Sequence, residues 1–160
     1  MKIKKFDESK LENAILKLFE QNHFTKINGE NFPKPDEEFL LIDDLKYFLK
    51  KKYYKFKITA NEIDLVILRL KSFDKNDIYN SNKKFHNLLI EGFSIKRDND
   101  KKDNLYVNLI DFDNVSSNNF KIINQLKFNE YHLRKPDSII YINGLPLVVL
   151  EFKSAIRENT

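Results

Sequence analysis

A chain of 160 residues, 41% hydrophobic and 32% charged, has the length and composition of one folded domain with a real core. It has no cysteine, which excludes disulfides, thiolate catalysis and cysteine zinc sites. The net charge of +4 suits a polyanionic partner such as DNA, and fits equally well a codon bias toward Lys, Asn, Ile and Phe.

The opening residues lead straight into an amphipathic pattern, so no signal peptide is expected. No stretch approaches the ~18 to 20 apolar residues that span a bilayer. A cytoplasmic protein without membrane contact is therefore expected. From Ser9 to about Gln21, Leu11, Ala14, Ile15, Leu18 and Phe19 fall at helical spacing and predict one buried stripe, with Glu12 at its rim. From Asn22 to Asp36, Gly29, Pro33 and Pro35 break any period and predict a loop.

A second helix is expected from about Asp43 and Asp44, burying Leu45, Phe48 and Leu49, with Lys50, Lys51 and Lys52 in its last turn. Those lysines read as a solvated helix end or, alternatively, as a DNA contact. Thr59-Ala60-Asn61-Glu62 is a capping box ahead of the stripe Ile63, Val66, Ile67 and Leu70. A turn over Asp77 to Ser81 and a short helix with Phe85, Leu88 and Leu89 follow, stopping at Gly92. His23, His86 and His132 lie far apart and outside metal-ligand spacing, and are expected at the surface.

Past Gly92 the period changes. Phe93 to Lys96 reads as a short strand, Arg97 to Asn104 as a charged turn, Leu105 to Phe112 as a strand and Asp113 to Asn118 as a polar loop. Phe120 to Phe128 alternates Phe120, Ile122, Leu126 and Phe128 against Lys121, Gln125 and Lys127, the mark of a half-buried strand. Asn129 to His132 is expected to connect it to the last segment.

That segment, Arg134 to Lys153, holds two aliphatic runs joined by Asn143-Gly144, a strong hairpin signal. Asp137 opens the first strand, and Glu151 and Lys153 project from one face near the end of the second. Two cross-strand carboxylates can share a hard divalent cation, with an ammonium nearby to orient an attacking hydroxide, which suits phosphodiester hydrolysis. The bland reading is a hairpin whose polar ends face water. Parity decides whether the three can meet. A plain two-residue turn would pair Asp137 with Leu150 and send it to the face opposite Glu151 and Lys153. The chemistry therefore requires an odd-length connection or a bulge between Asp137 and Glu151, for instance a three-residue connection ending in Gly144 that pairs Tyr141 with Leu145.

Pro136-Asp137 followed by Glu151-Phe152-Lys153 fits the PD-(D/E)xK nuclease signature. With the intervening Asn143-Gly144-Leu145-Pro146-Leu147-Val148-Val149, the segment closely resembles the N-terminal nuclease domain of the restriction subunit of type I restriction-modification enzymes. The resemblance continues upstream through Asp111-Phe112, Asn119-Phe120 and Asn124-Gln125, and more loosely through the helical half. It implies Asp137 and Glu151 as ligands of Mg2+, with the carbonyl of Phe152 as a further ligand, and Lys153 as the residue that positions the nucleophilic water. It also implies a metal-site glutamate on the first helix, for which Glu12 is the best match and Glu8 the alternative.

The resemblance further implies double-stranded DNA as substrate and methyltransferase and specificity subunits as partners, the latter reading the DNA sequence. ATP would be used only through a motor domain outside this chain. The expected architecture is α+β: a restriction-endonuclease-like mixed sheet flanked by helices, in a single domain over 1–160, mainly helical over 1–92 and mainly strands over 93–160. The sheet is expected to hold Leu105 to Phe112, Phe120 to Phe128, Ser138 to Ile142 and Leu147 to Lys153, with the fold's closing helix and last strand beyond Thr160. Two other functions are compatible with the sequence: a catalytically silent docking or DNA-binding module, and a stand-alone repair or resolvase-like nuclease.

Overall fold

A computed structural model describes residues 8–32, 39–73, 76–99, 103–126, 128–130, 132–134 and 136–153. Expectations resting on Pro33, Pro35, residues 100–102 and Tyr131 lie outside these. The chain divides into two compact units, one made of residues 1–40 with 119–160 and the other of residues 41–118. The fold is α+β, and the described residues include four α-helices and a mixed four-stranded sheet.

The first unit begins with α1 (Glu8–Gln21) and β1 (Thr25–Asn28). After the second unit the chain returns as β4 (Phe120–Asn124), a small hairpin of β5 (Phe128–Glu130) and β6 (His132–Arg134), then β7 (Ser138–Ile142) and β8 (Leu145–Leu150). The main sheet has the order β1-β4-β7-β8, with β1 parallel to β4 and the remaining pairs antiparallel. Strand β1 falls in the segment expected as a loop. Its four residues Thr25-Lys26-Ile27-Asn28 contain only one aliphatic side chain, too short a pattern to show period two. Gly29 follows because a Cβ there would come within 2.7 Å of the carbonyl of Asn124 and the backbone of Leu126.

Helix α1 lies on the sheet through Leu16, which packs with Ile122 of β4 and Ile140 of β7 and is 1% exposed. Phe19, Phe24 and Leu150 close around that cluster, and burying a side chain such as Leu16 contributes roughly 1.5–3 kcal/mol. The buried stripe is rotated from the expected one. Leu18 is 53% exposed, whereas Glu12, one turn before Leu16, is half-buried on the sheet-facing side. Glu12 is half-buried beside that stripe.

The second unit holds α2 (Ile42–Lys52), α3 (Ala60–Lys71), α4 (Ile78–Glu91) and an antiparallel pair, β2 (Phe93–Ile95) with β3 (Leu105–Val107). Asp43 and Asp44 occupy the first turn of α2 and its three lysines the last, as the dipole favours. The capping box of α3 is formed in both directions: the Thr59 hydroxyl accepts the Glu62 N–H, and the Glu62 carboxylate accepts the Thr59 N–H. Helix α4 starts earlier than expected because Asp77 caps it, accepting the Asn80 N–H at 3.2 Å, and it ends at Gly92 with φ 70°. The strand expected over Leu105 to Phe112 is only β3, and it belongs to this separate pair instead of the main sheet. Its end is set by polar turns: Asn118 accepts the Asp111 N–H and donates to the carbonyls of Asp111 and Val115.

Glu62 also pairs with Arg97 at 2.7 Å and accepts the Asp98 N–H at 3.0 Å, so both buried charges are satisfied within the second unit. Among the described residues no helix is long and apolar enough to cross a membrane.

Candidate active site

The β7–β8 hairpin turns on two residues, with Ile142 opposite Leu145. Asn143 has φ 52° and Gly144 φ 81°, the left-handed pair that a tight turn of this hand requires. Asn143 has a second role. Its side-chain oxygen accepts the Asn119 N–H and its own N–H donates to the Asn119 carbonyl, both at 2.8 Å, which anchors the turn to the start of β4.

Tyr141 opposes Pro146, but Ile140 opposes Val148, leaving Leu147 as an extra residue in β8. The required irregularity is therefore present, as a bulge further along the strand and not as a three-residue connection at Gly144. Pro146 is tolerated before the bulge because β8 is an edge strand and Tyr141–Pro146 is a non-hydrogen-bonded pair, where the missing N–H would face outward. Beyond the bulge Ile139 opposes Val149 and Ser138 opposes Leu150, so continuing the register sets Asp137 beside Glu151. A hydrogen bond marks the approach: Asp137 Oδ2 accepts the N–H of Phe152 at 2.6 Å. Glu151 and Lys153 are exposed and Phe152 is half-buried, in keeping with alternation about the chain.

Glu12 reaches the same end of the sheet from α1. Its Oε1 accepts from the side-chain amides of Asn124 at 3.4 Å and Gln125 at 3.3 Å. Gln125 does not continue β4 as expected; it stands at φ 58° and its main-chain N–H donates to the Asp137 carbonyl at 3.0 Å. Glu8 lies at the exposed start of α1. His23 and His86 are exposed, and His132 lies in β6.

The donors present are oxygens. Asp137 keeps one carboxylate oxygen beyond the Phe152 bond, and the register ending at Ser138–Leu150, carried one step further, would bring Glu151 opposite it. On the opposite face, which carries Glu12, Asn124 Oδ1 and Ser138 Oγ are buried and have no hydrogen-bond partner. On the hairpin's own face, the free Asp137 oxygen and the Glu151 carboxylate are the kind of donors that fit a hard cation and its water shell. Among the described residues no three acidic, histidine or cysteine side chains gather into a ready cage. Mg2+ does not need one, since it is held through one or two carboxylates and keeps several waters. The sequence singled out Asp137, Glu151, Lys153 and Glu12, and missed Asn124 and Gln125 as their supports. The signal available was their place in the wider motif; alternation alone assigned Gln125 to a polar strand face.

The family described as "Type I restriction enzyme R protein N terminus" matches residues 5–159. Among characterised relatives, "Putative type I restriction enzyme MjaIXP endonuclease subunit" of Methanocaldococcus jannaschii is 35% identical over 94 residues, covering 56% of this chain and 9% of that protein. "Type I restriction enzyme HindI endonuclease subunit" of Haemophilus influenzae is 25% identical over 164 residues, covering 96% of this chain and 15% of that protein. The chain thus spans a small part of the length of either relative. No solved structure matches it.

Proposed function

We propose that this chain, which belongs to the family of type I restriction enzyme R protein N termini, is the Mg2+-dependent nuclease module of a cytoplasmic restriction endonuclease. The substrate is unmodified double-stranded DNA, cut by hydrolysis of its phosphodiester bonds. The observation that supports the reading is the bulge at Leu147, which shifts the β7–β8 register by one residue, so that Asp137 and the Glu151-x-Lys153 pair would share a face if the register continues past Ser138–Leu150. Without it the acid and the Glu-x-Lys pair would point to opposite faces.

Asp137 and Glu151 would hold the metal, with the carbonyl of Phe152 as a further oxygen donor. The bound cation supplies charge neutralisation at the phosphate and a more acidic water. Lys153, an ammonium with three donors and no acceptor, orients the nucleophilic water and cannot itself be a ligand. Asp137 is fixed for its task by accepting the Phe152 N–H, which also ties the two strand ends together. The methyltransferase and specificity subunits of a type I complex are the partners this reading implies, with ATP used by a motor elsewhere in the protein.

The test is DNA cleavage by the full-length protein in its complex. Asp137→Ala, Glu151→Ala and Lys153→Ala should each abolish cleavage while leaving assembly with the partner subunits intact. Retained cleavage in any of the three would place the chemistry elsewhere.

A further inference from the structure

The second unit holds a cleft of about 460 Å³ between the end of α3 and the face of α4. Two cations line it, Arg69 from the last turn of α3 and Lys84 from half-way along α4. Among the described residues no acid lines the cleft and no carboxylate pairs with either cation. Elsewhere in the same unit Lys46, Lys52 and Arg97 are matched with Asp64, Asp111 and Glu62. Asp77, at the cap of α4, is engaged through both oxygens by Asn80, at 3.2 and 2.7 Å. From Ile78 to Ile90 the helix carries no acid at all. The helix dipole accounts for a cation at the end of α3, but not for Lys84 in the middle of α4.

Arg69 is held in place without being neutralised. Its guanidinium stands 5.0 Å from the ring centroid of the buried Phe93. Stacking of this kind occupies the guanidinium face and leaves the in-plane N–H fork for an oxyanion, which phosphate matches bidentately. Lys84 adds a point charge, and Asn87, one turn further along α4, adds an amide. Ser72 serves the helix end instead, its hydroxyl donating to the Arg69 carbonyl at 2.8 Å. Phe73, set edge-on to Phe85 at 5.9 Å and 90°, and Leu88 form a half-buried apolar wall. Charges of one sign beside a low-dielectric wall concentrate the field and draw anions in.

We propose that this cleft is a phosphate-binding site that grips the backbone of double-stranded DNA, with one phosphate held jointly by Arg69 and Lys84. Both cations are exposed, so an extended polyanion can lie across them, whereas a small ligand would be enclosed on most sides. The chain's net charge of +4 acts in the same direction. A contact to phosphate carries no base readout, so the cleft anchors DNA of any sequence. The choice of DNA as the polyanion rests on the nuclease reading above; the anion site rests on its own residues.

The experiment measures binding of a short DNA duplex of arbitrary sequence to the 160-residue chain across a salt series, with divalent ions withheld and melting temperatures recorded alongside. Arg69→Gln combined with Lys84→Gln should weaken binding by roughly 10-fold, as loss of hydrogen bonds to a charged group does. The slope of log affinity against log salt should fall by about 1, the value for one phosphate contact. Arg69→Lys keeps the charge and loses the fork, so it should weaken binding with the slope unchanged; this variant also decides the matter if the glutamine pair unfolds. Lys55→Gln combined with Lys83→Gln removes the same charge outside the cleft and should cost clearly less. An equal loss in that control would overturn the site and leave only net charge. Saturable binding of inorganic phosphate that depends on Arg69 and Lys84, with DNA affinity unmoved by them, would overturn the assignment to DNA, as would tighter binding of an oligoglutamate peptide with the same dependence. If Asp137→Ala leaves cleavage by the assembled complex intact while duplex binding still falls in the glutamine pair, the nuclease reading fails and the cleft stands. If Asp137→Ala abolishes cleavage and the glutamine pair binds like the parent, only the cleft fails.

Discussion

The carboxylate of Asp137 accepts the main-chain N–H of Phe152 at 2.6 Å, across the open end of the β7–β8 hairpin. The bond gives Asp137 a structural duty separable from any metal. Asp137→Asn keeps an acceptor for that N–H and should unfold within about 1 kcal/mol of the parent, yet lose Mn2+ binding. Asp137→Ala should lose both, with roughly 1.5–3 kcal/mol of stability, the range for hydrogen bonds to charged groups. Urea unfolding and metal calorimetry on the two variants separate the effects.

Deleting Leu147 should restore an uninterrupted ladder from Ile142–Leu145 outward. The residues beyond it would each move one place, turning Glu151 and Lys153 to the other face relative to Asp137. The expected product keeps sheet structure by circular dichroism and has no measurable metal affinity. Parent-like Mn2+ binding in this deletion would show that the bulge does not set the site.

Lys153→Ala should leave metal binding unchanged, because an ammonium is not a ligand, while DNA cleavage is lost. Calorimetry against cleavage in the same preparation tests this, and weakened metal binding would count against the assigned role.

Glu62 and Arg97 form a buried pair 2.7 Å apart, and Glu62 also accepts the N–H groups of Thr59 and Asp98. Burial pushes the Glu62 carboxyl up, but the bonds from Thr59, Arg97 and Asp98 outweigh it and hold it below the ordinary value. Removing one partner strands the other, so Glu62→Ala should cost roughly 3–5 kcal/mol. A denaturant midpoint near that of the parent would contradict the pairing.

Asp111 is held at about 2, below its ordinary 3.8, chiefly by the Lys52 ammonium at 2.7 Å and then by the Asn114 N–H. A depressed acid stabilises the fold above its unfolded value, and that contribution disappears as pH falls toward the folded value. Discounted for solvent screening, for Asp111 it is on the order of 1 kcal/mol, lost between roughly pH 4 and pH 2. Asp111→Asn should therefore flatten the fall in melting temperature over that window while lowering stability at neutral pH. Glu62 acts in the same direction.

Where local chemistry decides structure, the sequence was readable. The Thr59–Glu62 box, the Gly92 stop and the Asn143-Gly144 turn each rest on two or three residues whose backbone needs are specific. Parity showed that a bulge or odd loop was needed before Glu151 could meet Asp137. Its location at Leu147, beyond the turn, was not legible from parity, which an odd loop at Gly144 would have satisfied equally. Other features depended on distant partners. Four residues of β1 gain strand form only by pairing with β4, and Gln125 leaves β4 although Leu126 and Phe128 extend its alternation. The stripe of α1 centres on Leu16 because the sheet offers Ile122 and Ile140 there, which spacing along the helix alone does not reveal.

The parallel pairing of β1 with β4 joins Thr25 to Lys121 and Asn28 to Asn124, while β4, β7 and β8 follow one another closely along the chain. Loop closure across roughly a hundred residues is slow and entropically disfavoured compared with a meander of neighbours. The order of assembly should follow: the β4-β7-β8 meander condenses first, and β1, bringing α1 and Glu12, docks afterward. The open end of the β7–β8 hairpin, with the Asp137–Phe152 bond, would then form before Glu12 reaches the sheet from α1.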